Sequence, residues 1–312
     1  MDYHITKSEA GMTVRSYIVQ KIGPSTKMLK HLKYREDGIC VNGIRRTVRY
    51  LLREGDVLSV ALEDSEHSDR ITPVDLPLKI LYEDDDITVP SKTAFMPTHP
   101  SHDHYDDTVA NALAYRYTQM GIPFVFRPIN RLDRNTSGLL LIARNKLAAG
   151  RLTKSMAAGR ISKTYLAVLD GEMPLGDGVI DACLHRTEKS IIVREVCPPD
   201  APDADAACTE YTVLQAQNGH TLVEARPITG RTHQLRVHFA SLGHPITGDD
   251  LYGTPSPLID RHALHAYSLA FPHPATEREM LLRAPLAEDM DRLIHQLFPT
   301  FSLPEQKGGT QT

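Results

Sequence analysis

The segment Pro128-Ile-Asn-Arg-Leu-Asp-Arg-Asn-Thr-Ser-Gly-Leu-Leu-Leu-Ile142 is the most informative stretch of this 312-residue chain. Its first half is polar and its second half is largely apolar, which predicts a polar turn that leads into a buried strand. Asp133 lies in the turn between Arg131 and Arg134. Because nearby cations favour an ionised carboxyl, this arrangement predicts a charged aspartate on a rigid element at the edge of a cleft. The alternative is that Asp133 only closes an Asx-turn with the residues that follow it.

Two further segments combine polar residues with regular structure. Ile161-Ser-Lys-Thr-Tyr-Leu-Ala-Val168 alternates like a strand, and Tyr165 could offer its ring and hydroxyl to a ligand or simply pack in the core. Thr229-Gly-Arg-Thr-His-Gln-Leu-Arg-Val-His238 predicts a glycine turn followed by a helix. The first turn of that helix is expected to hold Arg231, Thr232, His233 and Gln234. Backbone amides and Arg231 at a helix start favour an anion, either a phosphate or a carboxylate such as Asp133.

Basic residues concentrate near the start of the chain. Between Arg15 and Arg53 there are ten Lys and Arg residues but only two acidic residues, Glu36 and Asp37. Because the whole chain has a formal net charge of −4, this stretch carries +8 and the remainder carries −12. A basic segment joined to an acidic body is typical of a nucleic-acid-binding module attached to a second domain. A solvated basic face without a ligand is the alternative.

The basic stretch also has the pattern of a small α/β fold. Apolar residues spaced three and four apart predict a helix over residues 13–22, and Ser25 predicts the N-cap of a second helix over Thr26–Tyr34. Asn42-Gly43 predicts a hairpin turn, and residues 57–60 predict a further strand. We expect RNA contacts from basic residues on the second helix and beside the hairpin turn, namely Lys27, Lys30, Arg45 and Arg46.

The chain divides into two predicted domains. Residues 1–65 form the small RNA-binding head, residues 66–76 a polar linker, and residues 299–312 a tail whose last seven residues are expected to be disordered. Residues 77–298 predict an α+β domain built on a mixed, largely antiparallel sheet. Its predicted helices cover about 107–120, 146–158 and 289–297, with one more starting near residue 231. Its predicted strands cover about 78–82, 139–143, 163–169, 190–194, 210–214, 221–225 and 264–271.

Composition excludes several classes of protein. With 41% hydrophobic and 24% charged residues, the chain as a whole is not disordered. The apolar runs are too short to span a membrane, and the start of the chain lacks a signal-peptide pattern, so we expect a soluble, cytoplasmic protein. The four cysteines form no C-x-x-C pair, and no phosphate-binding or dinucleotide-binding glycine motif is present. His99, His102 and His104 lie in an irregular polar segment, so neither a metal nor a cofactor is expected.

Taken together, the motifs resemble those of the RluA-like family of pseudouridine synthases over about residues 77–298. The resemblance is carried by R-L-D-x-x-T-S-G from Arg131, K-T-Y-L-A-V from Lys163 and G-R-T-H-Q-L-R-V-H from Gly230. It is completed by G-H-P-I-x-G-D-x-x-Y-G from Gly243 and A-P-L from Ala284. Residues 10–65 are similar to the small RNA-binding domain named after ribosomal protein S-four, which indicates the ribosomal large-subunit branch of the family.

The resemblance implies an isomerase that breaks the bond between ribose and uracil, turns the uracil over and rejoins it through carbon five, without a cofactor. Asp133 matches the catalytic aspartate, which either attacks the sugar or removes a proton from it. Tyr165 matches the tyrosine that stacks on the base, and Arg231 matches the basic residue that pairs with the aspartate. Arg131 would fill the stack left by the extracted uridine, and Leu282 would line the uracil site.

Two positions depart from the family pattern. Asn130 stands where the family usually has histidine, and Ser91-Lys-Thr-Ala-Phe-Met96 stands where N-K-P-x-G-x is common. The expected partner is structured RNA, ribosomal RNA first and transfer RNA second, and no protein partner is indicated. One alternative is an inactive RNA-binding or ribosome-assembly protein that keeps the fold. A glycoside or nucleoside hydrolase is a further alternative, but no second acid accompanies Asp133 in these motifs.

Overall fold

The computed structural model describes residues 1–24, 26–61, 71–187, 190 and 192–303, without the side chain of Lys27. The predicted cap Ser25, residues 66–70 of the predicted linker and the predicted disordered tail therefore lie outside the described residues. The helices are α1 (Val14–Tyr17), α2 (Thr26–Tyr34), α3 (Val109–Gln119), α4 (Lys146–Ala157), α5 (Gln234–Ser241) and α6 (Glu288–Leu297). No helix in the described ranges is long and apolar enough to cross a membrane.

The strands of the first part of the chain are β1 (Asp2–His4), β2 (Ile39–Val41), β3 (Ile44–Arg45), β4 (Val57–Val60), β5 (Lys79–Glu83), β6 (Ile87–Lys92), β7 (Ser137–Leu139) and β8 (Ile142–Ala143). Those of the second part are β9 (Ser162–Asp170), β10 (Gly176–Asp181), β11 (Cys183–Arg186), β12 (Arg194–Cys197), β13 (Cys208–Gln217), β14 (His220–Pro227), β15 (Leu264–Pro272) and β16 (Glu279–Arg283).

A ten-stranded sheet forms the body of the protein. Its strand order is β10-β13-β14-β9-β15-β7-β6-β5, with β16 paired to β15 and β8 paired to β6. All of these pairs are antiparallel except β15 with β7. The mixed, largely antiparallel fold class predicted from the sequence is therefore confirmed.

Both faces of this sheet are covered, which explains why its central strands are apolar along their length. The larger apolar cluster packs α3, α5 and α6 against one face, and the smaller one packs α4 against the other. Along 139–142, Leu140 and Ile142 join the first cluster while Leu139 and Leu141 join the second. Burying a leucine or isoleucine of this kind contributes about 2 kcal/mol. The alternating burial therefore fixes the chain that leaves the Asp133 turn.

The predicted strand over 139–143 is interrupted. Asn130 explains the break, because its side-chain oxygen accepts from the Leu141 amide at 2.7 Å and its amide donates to the Leu139 carbonyl at 3.3 Å. These side-chain bonds occupy the gap between the end of β7 and the start of β8, where backbone bonds to a neighbouring strand would otherwise form. The predicted strand near 190–194 was also placed too early, since β12 begins at Arg194.

The head has its own sheet, in the order β1-β4-β2-β3, and its own apolar cluster. Helix α2 has the predicted bounds, whereas the helix predicted over 13–22 is α-helical only to Tyr17 and continues as a π-helix over Ile18–Ile22. Asn42 and Gly43 have φ angles of 51° and 78°, as a two-residue hairpin turn requires. The local sequence therefore accounts for the hairpin geometry.

Helix α4 of the body contacts the head through two cations. Arg151 donates through Nε to the Ile22 carbonyl at 2.9 Å, and Lys154 Nζ donates to the Gly23 carbonyl at 3.0 Å. These carbonyls lie at the end of the π-helix, where the backbone dipoles favour a positive charge.

The body also extends beyond its predicted limits. Ile71, Leu76 and Phe301 pack against its main apolar cluster, so residues 71–76 of the predicted linker and the start of the predicted tail belong to the body.

Candidate active site

A cleft of about 1030 Å³ opens beside the Asp133 turn. Three elements border it: the Asp133 loop (residues 130–137), strand β9 and the segment before helix α5. Seven residues singled out from the sequence line this cleft, namely Arg131, Asp133, Tyr165, Arg231, Thr232, His233 and Gln234.

The backbone of the Asp133 loop is held from outside. Three side chains from distant segments donate to its carbonyl oxygens at 2.8–3.0 Å: Thr98 to Leu132, Lys92 to Arg134 and Arg261 to Asn135. Lys92 and Arg261 are 1–2% exposed, so their hydrogen bonds form away from water, where leaving a polar group unpaired is costly. The backbone on both sides of Asp133 is consequently fixed by side chains.

The carboxylate of Asp133 points toward basic groups rather than into its own turn. The turn is closed by the backbone, because the Thr136 amide donates to the Asp133 carbonyl at 3.1 Å. Oδ2 of Asp133 lies 3.5 Å from Arg236 Nη1 and 3.9 Å from His233 Nε2. Both contacts involve Oδ2, and among the described residues Oδ1 has no hydrogen bond or ion pair, while Asp133 lines the cleft. The contacts of the described residues therefore do not support the alternative that Asp133 only closes an Asx-turn.

The pairing predicted between Arg231 and Asp133 is wrong. Arg231 instead binds the Asp205 carboxylate at 3.1 Å and donates to the Ala206 carbonyl at 3.0 Å. The physical reason is the position of the helix, which begins at Gln234 rather than near residue 231. Arg231 therefore belongs to the preceding turn, and Arg236 takes the place in the first helical turn that faces Asp133.

Arg236 is fixed by a second carboxylate that sequence reasoning did not single out. Its Nε and Nη2 donate to the two oxygens of Asp249 at 2.6 and 2.8 Å, and its guanidinium lies 5.0 Å from the centre of the Tyr252 ring. Burial opposes the charge of Asp249, but the hydrogen bonds and charge of Arg236 hold the pKa of Asp249 below its usual value. Such a bidentate pair fixes the guanidinium plane. The signal was present in the quoted motifs, which contain both residues.

His233 caps helix α5 with a left-handed backbone, φ 57°. Its Nδ1 lies 2.8 Å from the Tyr252 hydroxyl, which also accepts from the Arg194 amide. The hydroxyl proton then has Nδ1 as its acceptor, which favours the tautomer with the other proton on Nε2, toward Asp133. Burial lowers the pKa of His233, partly offset by the charge of Asp133, so the imidazole is neutral near pH 7.

Tyr165 lies on strand β9 with 8% of its surface exposed, at the wall of the cleft. Burial and the nearby charge of Asp133 raise the pKa of its hydroxyl, which keeps the phenol protonated. Gln234 also lies at the cleft, but its amide group is occupied within the protein. It donates to the Cys208 carbonyl at 2.9 Å and accepts from the Arg231 amide at 3.0 Å. The structure thus gives Gln234 a role in holding the loop before α5.

Leu282 does not line the cleft, contrary to the prediction. It lies on β16 opposite Leu269 and packs in the smaller apolar cluster on the α4 side of the sheet. The side chain is instead taken up by the contacts of this apolar cluster, where burial of a leucine is favourable. Leu264 of β15 is an apolar residue that does line the cleft.

The basic residues predicted to bind RNA lie on the surface of the head. Lys30, Arg45 and Arg46 are exposed. Arg45 donates to the Lys33 carbonyl at 3.3 Å, and the guanidinium of Arg46 lies 4.9 Å from the centre of the Tyr50 ring. The side chain of Lys27 is outside the described residues.

Within the described ranges, a group of potential metal ligands is formed by Asp84, Asp86 and His273. The carboxylate of Asp84 is already occupied, since it accepts from the Tyr82 hydroxyl, from His273 and from the amides of Asp86 and Ile87. These hydrogen bonds hold the turn that joins β5 to β6. His99, His102 and His104 do not form such a group among the described residues.

Comparison with known proteins identifies the family of this chain. The family model described as RNA pseudouridylate synthase matches residues 86–241. A Bacillus subtilis protein named uncharacterized RNA pseudouridine synthase YjbO is 38% identical, over 91% of this chain and 98% of its own length. Ribosomal large subunit pseudouridine synthase D of Vibrio cholerae is 35% identical, over 82% of each chain.

A solved structure points to the same family. Human RNA pseudouridylate synthase domain containing 1 is 29% identical, with a TM-score of 0.58 over 70% of this chain and 87% of its own. With the sequence relatives matched over most of their lengths, this chain belongs to the RNA pseudouridylate synthase family and is an isomerase.

Proposed function

We propose that this protein converts specific uridines of large-subunit ribosomal RNA to pseudouridine, with Asp133 as the reactive group and without a cofactor. The observation that carries the proposal is the environment of Asp133. One carboxylate oxygen faces Arg236 and His233, the residue lines the cleft, and Tyr165 forms the neighbouring wall. A carboxylate on a loop whose backbone is held by side chains from other segments is suited to attack or proton abstraction.

The proposed reaction is balanced without an external reactant, because uridine and pseudouridine are isomers. The bond between C1′ and N1 breaks, a bond between C1′ and C5 forms, C5 loses its proton and N1 gains one. Asp133 either forms a bond to C1′, which breaks when C5 bonds to C1′, or removes a proton from C2′, which returns at that step. In either case Arg236 lies beside the carboxylate as its counter-ion.

Tyr165 and Arg131 would hold the nucleotide during this reaction. The Tyr165 ring borders the cleft and offers a flat apolar face to the uracil, while its protonated hydroxyl can donate a hydrogen bond. Arg131 is exposed at the cleft, where it can occupy the space left in the RNA stack. Extracting a base from its stack costs a few kcal/mol, which contacts of this kind offset.

The choice of ribosomal RNA rests on the relatives and on the head. Several relatives are named ribosomal large subunit pseudouridine synthase D, among them proteins of Vibrio cholerae and Xanthomonas campestris. We propose that residues 1–65 act as an S-four-like RNA-binding domain, with Lys27, Lys30, Arg45 and Arg46 contacting phosphates. Residues 77–298 would supply the catalytic domain, and the cytoplasm is where this enzyme would meet its RNA.

Release of tritium from RNA tests the reaction and the substrate together. Ribosomal RNA and transfer RNA, both made without modifications and with tritium at C5 of uridine, are incubated separately with the protein. Release from ribosomal RNA, with pseudouridine in the digested product, is the expected result. Release from transfer RNA alone would show that transfer RNA, and not ribosomal RNA, is the substrate. No release from either RNA, with binding intact, would favour the alternative of an inactive RNA-binding protein.

A further inference from the structure

Phe95 lies in the turn just before Pro97 and Thr98, which line the cleft, in a conformation that its side chain disfavours. Its φ angle is 63°, in the left-handed region where glycine is at ease and a bulky residue is not. The ring is nevertheless 48% exposed to solvent. In the N-K-P-x-G-x pattern compared above with Ser91–Met96, glycine occupies the place of Phe95. The chain thus keeps a large apolar side chain where a glycine would relieve strain.

The turn that carries Phe95, residues 93–96, is tied to the Asp133 loop. Lys92 Nζ donates to the carbonyls of Thr93, Met96 and Arg134 at 2.8, 2.9 and 2.8 Å. Arg134 in turn donates through Nε to the Phe95 carbonyl at 3.4 Å. Because one buried ammonium group binds both segments, the position of Phe95 is fixed relative to Asp133.

Packing within the protein does not explain the ring. Phe95 belongs to none of the apolar clusters, and within the described part of the chain it stacks on no other aromatic ring and on no cation. A strained residue persists when the surrounding structure over-determines it, and such residues concentrate at functional sites. A half-exposed aromatic ring on a backbone held by hydrogen bonds is also a group on which an unpaired base can stack.

We infer that Phe95 is an RNA contact that stacks on an unpaired base next to the uridine held in the cleft. Arg131 and Arg134 line the cleft beside this turn and supply positive charge for the backbone of the same RNA. RNA-binding proteins recognise loops by stacking splayed bases on aromatic rings and guanidinium planes, which is the combination found here. The inference rests on the proposed function, since it assigns a neighbour of the substrate uridine.

Substitution by glycine separates a binding role from a structural one. We expect Phe95→Gly to keep its Tm within about 2 °C of the wild type or above it, because glycine adopts the left-handed turn freely. The same variant should bind unmodified ribosomal RNA about 10-fold more weakly, the order of one stacked base. Phe95→Tyr keeps the ring and should retain wild-type affinity, whereas Phe95→Leu should lose it. Asn218→Gly is the matched control, a glycine at another left-handed turn (φ 55°), and should leave RNA affinity unchanged.

The measurements are the Kd for the RNA, the rate of tritium release, the Tm and the sedimentation of the free protein. A clear loss of Tm in Phe95→Gly, or full affinity in Phe95→Gly or Phe95→Leu, would overturn the inference. Normal RNA affinity with a change in self-association would assign the ring to a protein contact instead. If the wild type itself releases no tritium from either RNA, the proposed function fails. If the wild type releases tritium and Phe95→Gly equals it in RNA affinity and rate, only the inference about Phe95 fails.

Discussion

The Asp133 loop and the segment Thr229–Arg236 are both polar turns, yet they have opposite parts in the site. In the loop, the backbone carbonyls on either side of Asp133 are bonded by side chains from elsewhere, and the carboxylate lines the cleft beside Arg236. In the segment, the side chains themselves make the bonds, with Gln234 fastened to strand β13 and Arg236 to Asp249. The loop is held by side chains from other segments, whereas Thr229–Arg236 is fixed by its own side chains and places Arg236 beside the Asp133 carboxylate.

The largest effect is expected in the segment Thr229–Arg236, where the two arginines, Arg231 and Arg236, can be compared. Arg236→Met removes the cation beside Asp133 and leaves the Asp249 carboxylate buried without its partner. We expect the single-turnover rate to fall by about 10³-fold, because the cation beside Asp133 is lost. We expect the free energy of unfolding to fall by about 3–5 kcal/mol, as is usual when one partner of a buried ion pair is removed. Single-turnover tritium release and thermal unfolding measure the two effects.

Arg231→Met is the matched control, because Arg231 pairs with the exposed carboxylate of Asp205. It should change the single-turnover rate by no more than about threefold, since an exposed ion pair contributes little. Equal losses in the two variants would show that the pairing of Arg236 with Asp133 is not what supports the reaction.

Acid should destabilise the packing around the Asp133 loop. His265 binds the Ser137 hydroxyl at 2.8 Å, and burial lowers its pKa to about 3. The unfolded state, with a pKa near 6.5, therefore binds more protons below that pH, so stability is present above pH 6.5 and falls as the pH drops. Between pH 7 and pH 5 the loss due to His265 is about 2 kcal/mol. Denaturant unfolding of the wild type and of His265→Asn measures it, and an equal pH dependence in both would refute the assignment.

Lys92→Met should give a smaller effect on activity. It removes the donor that joins the carbonyl of Arg134 to the turn at 93–96, but the bonds from Thr98 and Arg261 remain. We expect the single-turnover rate to fall by about 10-fold through misplacement of Asp133, with little change in RNA affinity. Lys79→Met, at an exposed position of β5, is the control and should behave as the wild type. A rate equal to the control would mean that the loop does not depend on Lys92.

The sequence predicted the segments that meet in the site better than it predicted the contacts between them. Helix α2 was placed with its observed bounds because caps and apolar spacing are local properties. The partner of Asp133 was misassigned because two arginines five residues apart exchange roles when the helix begins three residues later. Lys92 and Arg261 gave no local signal, since their acceptors lie 42 and 126 residues away in the chain.

The same limit explains Asn130 and Leu282. Asn130 departs from the family pattern, and only the structure shows that its amide bridges the break between β7 and β8. Leu282 was placed in the cleft by analogy, but on β16 it lies opposite Leu269 and packs in the smaller apolar cluster. Both outcomes depend on strand pairing, which local spacing does not determine.

The most direct test of the account is a single-turnover measurement of tritium release by Asp133→Asn, with saturating enzyme and with RNA affinity measured in parallel. The amide keeps the size of the side chain but removes its charge, so it can neither attack nor accept a proton at neutral pH. We predict no detectable release and a Kd within about threefold of the wild type, because the carboxylate contributes little to RNA binding. Release at a rate close to that of the wild type would contradict the account.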